Sequence, residues 1–292
     1  LPLAYSQDIE NKIFVDNEDC ECNEGYPIRI GLFNHLGISV VLNEQLLPDE
    51  IKPTPLIEVL PDYFSWLDHE GYDWTTPVKD QSFPNFCGYG YAMGTLGALE
   101  SVINIREGIP DLNPDLSLQY VLSCLPNAGN CNGGYPGRVF RYIISNDSFG
   151  NNCNGIIPEV CFPYQAIDTI PCTDKCDDWQ DYLIPVLDYG ASYNPEEIKT
   201  HIMQYGPVPT LMEESYNWSI WGSTHHDSDD YFHYEEPKTG AWILVTIVGW
   251  RDDPSIGQGG YWICKSCSGI AFGYNGFFNI EYNSNTIGFN TW

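Results

Sequence analysis

The chain is short of positive charge: 12 Lys and Arg stand against 40 Asp and Glu, a net charge of −28 over 292 residues. Phosphate recognition needs clustered basic side chains, so composition excludes a nucleic-acid partner and equally disfavours attraction to anionic lipid. Long hydrophobic runs are also missing. The longest apolar stretch, Ala241–Trp250, is half of the about 20 residues that a membrane-spanning helix needs, so no membrane insertion is expected. Charged residues make up only 18% of the chain, while 43% are hydrophobic and 14% aromatic, which describes an acidic but globular protein with ample material for a core. Internal repeats and low-complexity tracts are absent. A start at Leu1 rather than Met, with no signal peptide in view, leads us to expect a processed chain.

Cysteine is abundant. Eleven cysteines and two glycosylation sequons, at Asn146 and Asn217, fit an oxidising setting, either secreted and extracellular or a lysosome-like lumen. An odd number leaves one cysteine free or joined to another chain. Residues 1–59 read as a separate N-terminal extension: an acidic part with Cys20 and Cys22, then two strand-like stretches within Ile28–Leu42 that form a hairpin, then Pro48, Pro53 and Pro55 as a linker. This extension either covers a cleft of its own chain or pairs with a neighbour.

Ala92, Leu96, Leu99 and Ile103 fall on one helical face, and Gly108 is placed to end that helix. Cys124 to Cys176 is rich in Gly, Asn, Pro and Cys and reads as loops held by disulfides. The last third is strand-like over Ala241–Trp250, Gly260–Cys264 and Gly276–Tyr282. Helices first and strands last predict an α+β fold.

Several ordered blocks then become specific. Pro61-Asp62-Tyr63-Phe64-Ser65-Trp66, Pro77-Val78-Lys79-Asp80-Gln81 and Cys87-Gly88-Tyr89-Gly90-Tyr91-Ala92-Met93 resemble the amino-terminal part of a papain-family cysteine peptidase. Cys131-Asn132-Gly133-Gly134 is similar to that family's substrate-cleft glycines, and Ile247-Val248-Gly249-Trp250, Gly260-Tyr261-Trp262-Ile263 and Gly273–Phe277 to its late strands. Within the family, Ser82–Phe86 and Glu70–Asp73 resemble the cathepsin X (cathepsin Z) branch, with Ser82 where that branch carries a carboxylate-binding histidine. The resemblance implies a two-lobed fold over residues 60–292, a helical left lobe of about 60–180 and an antiparallel, barrel-like right lobe of about 181–292. It also implies disulfides Cys87–Cys131, Cys124–Cys161 and, more weakly, Cys153–Cys172. Partners for Cys20, Cys22, Cys176, Cys264 and Cys267 stay open.

Cysteine-peptidase chemistry needs a thiolate at a helix N-terminus, a histidine beside it, a group that orients the imidazole, and an oxyanion donor. Carried over from the family, Gln81 matches the oxyanion glutamine. Gly90 stands at the nucleophile position, Ile243 at the histidine, Ser266 at the orienting asparagine and Ser268 at the shielding tryptophan. Cys267 is set aside as a substitute because it belongs to the late strands and has no histidine near it in sequence. Cys264-Lys265-Ser266-Cys267 is open to a local disulfide, a metal half-site or two unrelated thiols. The expectation is therefore a pseudopeptidase, not an enzyme, that serves as a structural or binding component of a protein assembly. Alternatives are a peptide- or glycopeptide-binding protein using Gln81, Gly133 and Gly134, and a cysteine-type peptidase with a non-standard nucleophile. His225, His226, Asp227, Asp229, Asp230 and His233 read as a solvated acidic loop rather than a metal site. No cofactor is implied, and the expected partners are proteins or further copies of the chain, with glycans at Asn146 and Asn217.

Overall fold

The computed structural model describes residues 59–292 apart from 126, 145–154, 187–188, 193, 216, 234–237 and 289–290. The expected extension, its Ile28–Leu42 hairpin, Cys20, Cys22, Cys153 and Asn146 all lie outside the described residues, Val59 excepted.

Three helices build one side of the molecule: α1 (Gly90–Glu107), α2 (Leu118–Cys124) and α3 (Pro136–Ile144). Helix α1 takes the predicted face and ends where Gly108 adopts a left-handed φ of 67°, its N–H closing on Asn104 and Ile105 carbonyls. Ser117 caps α2, its hydroxyl accepting from the Tyr120 N–H at 2.9 Å. These helices bury Leu96, Val121, Leu122, Val139 and Ile143 with Ile156, Ile157 and Phe162 in one hydrophobic cluster. Helix α3 lies inside the stretch expected to be loops. Val139, Phe140 and Ile143 turn one apolar face inward, a pattern the surrounding Gly, Asn and Pro obscured.

The other side is a six-stranded sheet. Its strands are β1 (Tyr63–Ser65), β4 (Val208–Ser215), β5 (Tyr231–Phe232), β6 (Lys238–Asp252), β7 (Gly260–Lys265) and β8 (Phe277–Glu281); β2 (Gly129–Asn130) and β3 (Gly133–Gly134) form a separate hairpin. The sheet order is β1-β6-β7-β8-β5, with β4 also on β6. Among the described strands, all of its pairs are antiparallel except β5 with β8. Helix α4 (Pro195–Tyr205) covers one face; it starts with Asn194 capping the Glu196 N–H, Pro195 in the first turn and two glutamates at its positive end. Ile198 and Ile202 from α4 join Phe64, Trp66, Met212, Trp250, Trp262 and Phe278 in a second core. The α+β expectation and the late strands are borne out. A short helix, α5 (Trp218–Gly222), follows β4.

Helix α1 packs directly on β6. A Cβ on Gly94 would lie 2.7 Å from a Leu244 methyl, so a larger residue would have to push that side chain aside for the helix to approach this closely. The Thr246 hydroxyl donates to the Gly94 carbonyl at 3.0 Å in the same contact. The join between the two cores thus brings the N-terminus of α1 to the strand that carries Ile243.

The disulfides correct two expected pairs. Cys87–Cys131 forms as the resemblance implies, but Cys124 bonds Cys172 and Cys161 bonds Cys176. Cys161 accepts the Cys176 N–H through its carbonyl at 2.9 Å, which brings those two Cα atoms to 5.0 Å. Cys124, the last residue of α2, meets Cys172 at 4.9 Å. Both spacings suit a disulfide. Cys264 and Cys267 are buried free thiols, so the local disulfide between them does not form. Among the described residues no helix is long and apolar enough to cross a membrane.

Candidate active site

Helix α1 begins at Gly90 with no side-chain cap, its positive end at the join of the two cores. The segment that follows β7 returns to this point: the Gln81 N–H donates to the Cys267 carbonyl at 3.0 Å, and Asp80 bridges Ser268. The result decides what stands at the nucleophile position. A Cβ built on Gly90 would sit 2.9 Å from Cys267 Sγ and 3.2 Å from Gln81 Oε1. The sulfur of Cys267 therefore fills the space that a side chain at 90 would use, beside Gln81 and the start of α1. A pairing between distant segments, not sequence proximity, delivers the late-strand Cys267 to this point.

Gln81, Ile243, Ser266, Cys267 and Ser268 line one cavity of about 300 Å³, together with Glu214, Trp218, Val245 and Phe272. The structure thus brings together the positions that the sequence singled out. Ile243 faces Met212 across the β4–β6 ladder. Ser266 donates its N–H to the Gly276 carbonyl at 2.9 Å, while its hydroxyl accepts from the Ser268 N–H at 3.3 Å. Burial pushes the Cys267 thiol up to about 12, and its S–H donates to the Leu244 carbonyl at 3.6 Å. At rest this sulfur is a thiol. Among the described residues Glu214 is the one carboxylate on the cavity wall. No local pattern in the sequence singles it out, because the sheet brings its neighbours there.

Gly133 and Gly134 line a different hollow, about 670 Å³, with Asn127, Asn130, Tyr135 and Arg138. Their roles differ. Nothing lies within 4 Å of a Cβ on Gly133, whose φ is +120°, whereas one on Gly134 would strike the Tyr91 ring at 2.5 Å. Gly134 is a packing residue, and only Gly133 presents open backbone. Gly134→Ala is therefore expected to cost about 1–3 kcal/mol in urea unfolding through overpacking against buried Tyr91. Gly133→Ala should cost about 1 kcal/mol, from its positive φ. A larger loss at Gly133 than at Gly134 would contradict this division.

Asn217 is exposed at the start of α5, with Trp218 beside it buried. The expected acidic loop spends its side chains elsewhere: His225 stacks on Trp221, His226 Nδ1 lies 2.7 Å from the Gly273 carbonyl, and His233 pairs with buried Glu281. Three or more metal-ligating side chains are not gathered anywhere among the described residues.

The family model described as papain family cysteine protease matches residues 60–291. Cathepsin Z of Onchocerca volvulus is 29% identical over 249 residues, covering 79% of this chain and 74% of its own. Cathepsin J of Mus musculus is 28% identical over 237 residues, covering 77% of this chain but only 62% of its own. Among solved structures, the bromelain protease from Ananas comosus superposes with a TM-score of 0.57 at 22% identity over 80% of this chain and 97% of its own, which speaks for the fold. The cathepsin X (cathepsin Z) resemblance is borne out. The expectation that Gly90, Ile243 and Ser266 make this protein no enzyme is corrected, because its family is one of cysteine proteases and its curated relatives are cathepsins. The chain belongs to the papain family of cysteine proteases.

Proposed function

We propose that the protein is a cysteine-type peptidase in which Cys267 supplies the sulfur and Gln81 faces the oxyanion. The observation that carries this reading is Cys267 Sγ lying 2.9 Å from the Cβ position of Gly90, with the Gln81 side-chain amide beside it (Oε1 at 3.2 Å), whose N–H₂ is the donor an oxyanion needs. In the reaction the thiol gives its proton to solvent and the sulfur bonds to the carbonyl carbon of a bound peptide. The C–N bond then breaks as the amine takes a proton from solvent, and water hydrolyses the thioester to a carboxylate and the free thiol. Two features set the rate. Ile243 supplies no base, and the thiolate is scarce because burial holds the thiol near 12. Loss of a positioned base alone costs about 10²–10⁴-fold.

The test is turnover of fluorogenic peptides by the whole chain, with Cys267→Ser and Cys264→Ser compared. Slow turnover that rises about tenfold per pH unit from 6 to 9, as thiolate fraction does, and that vanishes only in Cys267→Ser supports the proposal. Turnover indifferent to Cys267→Ser, or none at any pH, overturns it. A secretory or lysosome-like lumen, with an N-glycan on exposed Asn217, is the setting we propose; three disulfides among the described residues support it.

A further inference from the structure

Three positions that the family resemblance assigns to a histidine, an asparagine and a shielding tryptophan hold smaller or apolar residues here: Ile243, Ser266 and Ser268. All three line the cavity beside Cys267. Its volume of about 300 Å³ is room for a side chain. Trp218, Ile243, Val245 and Phe272 supply an apolar part of the wall, and half-buried Glu214 of β4 is the lining carboxylate. Ser219 and Ser223 add two hydroxyls. Among the described residues no Lys or Arg lines the cavity, so Glu214 meets no opposite charge from the wall itself.

We propose that this cavity is a side-chain pocket for lysine or arginine, with the aliphatic stem against Trp218, Ile243, Val245 and Phe272 and the cationic head on Glu214. The proposal rests on the reading that a peptide lies in this cleft, and it names the peptide's class. Long cationic side chains lay their methylenes on apolar surface and keep the charge on a polar partner. A carboxylate binds guanidinium through charge-assisted hydrogen bonds, stronger than the neutral kind. The protein's surplus of carboxylates, −28 in net charge, adds attraction for a basic peptide as it approaches. Glu214 is a specificity residue in this scheme and takes no part in bond making.

The experiment uses Cys267→Ser protein, so that binding is read without cleavage, and fluorescein-labelled hexapeptides that carry arginine, its uncharged isostere citrulline, or glutamate at each position in turn. Arginine at one position is expected to bind about tenfold tighter than citrulline at 0.15 M salt, with glutamate weakest. Glu214→Gln should erase the arginine–citrulline gap while changing citrulline affinity less than twofold. Ile243→Trp, which fills the cavity, should weaken arginine and citrulline peptides alike. Equal binding of arginine and citrulline peptides at every position overturns the proposal, as does a gap that survives Glu214→Gln. A Cys267-dependent turnover with no preference for basic residues would overturn this inference and leave the peptidase reading standing. Preferential arginine binding without any Cys267-dependent turnover would do the reverse. Absence of peptide binding would overturn the pocket, whatever the turnover.

Discussion

Glu100→Ala should lower the stability of the folded chain by about 3–5 kcal/mol, the range for stripping one partner from a buried ion pair. Glu100 lies on α1 with its side chain 1% exposed. It accepts from Lys79 Nζ at 2.7 Å, from the Thr76 hydroxyl at 3.0 Å and from the Leu116 N–H at 2.9 Å. One carboxylate therefore satisfies an ammonium, a hydroxyl and a backbone amide that no water reaches easily. Lys265, directly before Ser266, depends on it as well. Its Nζ donates to the Thr76 carbonyl at 2.5 Å and hydroxyl at 2.9 Å. Burial brings its ammonium down to about 8 while the Glu100 charge holds it up. Lys79 keeps a second carboxylate in Asp115 at 2.8 Å after the substitution, so Lys265 and the two neutral donors carry most of the loss.

A domain of this size shifts its melting temperature by roughly 2–4 °C per kcal/mol, so a fall of about 10 °C is expected by calorimetry. Glu100→Gln keeps some hydrogen bonds and should lose less. A second readout is the pH dependence. Lys265 is depressed in the folded state, so the unfolded chain holds its proton more tightly and stability rises with pH between about 8 and 10.5. Without Glu100 the lower edge of that window moves below 8. A melting temperature within 2 °C of the parent would show that the cluster is not a unit.

Part of the fold and of the site was legible in the sequence and part was not. The Ala92–Ile103 spacing announced α1 because a helix writes its period locally, and the apolar runs announced β6, β7 and β8 for the same reason. Gln81, Ile243 and Ser266 were placed together by the order of the sequence blocks, and the fold gathers them in one cavity. The place of Cys267 beside Gly90 was not legible, because its sulfur reaches Gly90 through the Asp80–Ser268 pairing, which no local pattern records. Gly134 read as a cleft residue because a glycine required by packing and one required by open backbone look alike in sequence; Tyr91 tells them apart. Disulfide partners failed likewise. The pairing of Cys161 with Cys176 follows from a backbone contact between two loops, which spacing alone does not specify.

Between pH 4.5 and 7 buried Glu159 should cost the protein up to about 3 kcal/mol of stability as pH rises, a contribution that Glu159→Gln removes. Glu159 lies just before the Cys161–Cys176 disulfide, and its N–H donates to the Asp115 carbonyl at 2.8 Å. One carboxylate oxygen accepts from the Tyr164 N–H, while the other is buried without a partner. Burial is the main reason that its carboxyl is raised to about 7; the Tyr164 N–H opposes the shift, the Asp115 charge adds to it and Lys79 works against it. Because the folded value lies above the unfolded one, the folded state binds the proton more tightly across that interval. The contribution of Glu159 is therefore fully present below pH 4.5, is lost through the window and stays constant above 7. Glutamine supplies the same shape with no charge to bury. The variant should be more stable than the parent at pH 7.5, equal or slightly weaker at pH 4.5, and nearly flat between. Urea unfolding at half-unit pH steps measures both curves. Parallel slopes in parent and variant, or a parent slope more positive than the variant's through this window, would contradict a protonated, buried Glu159.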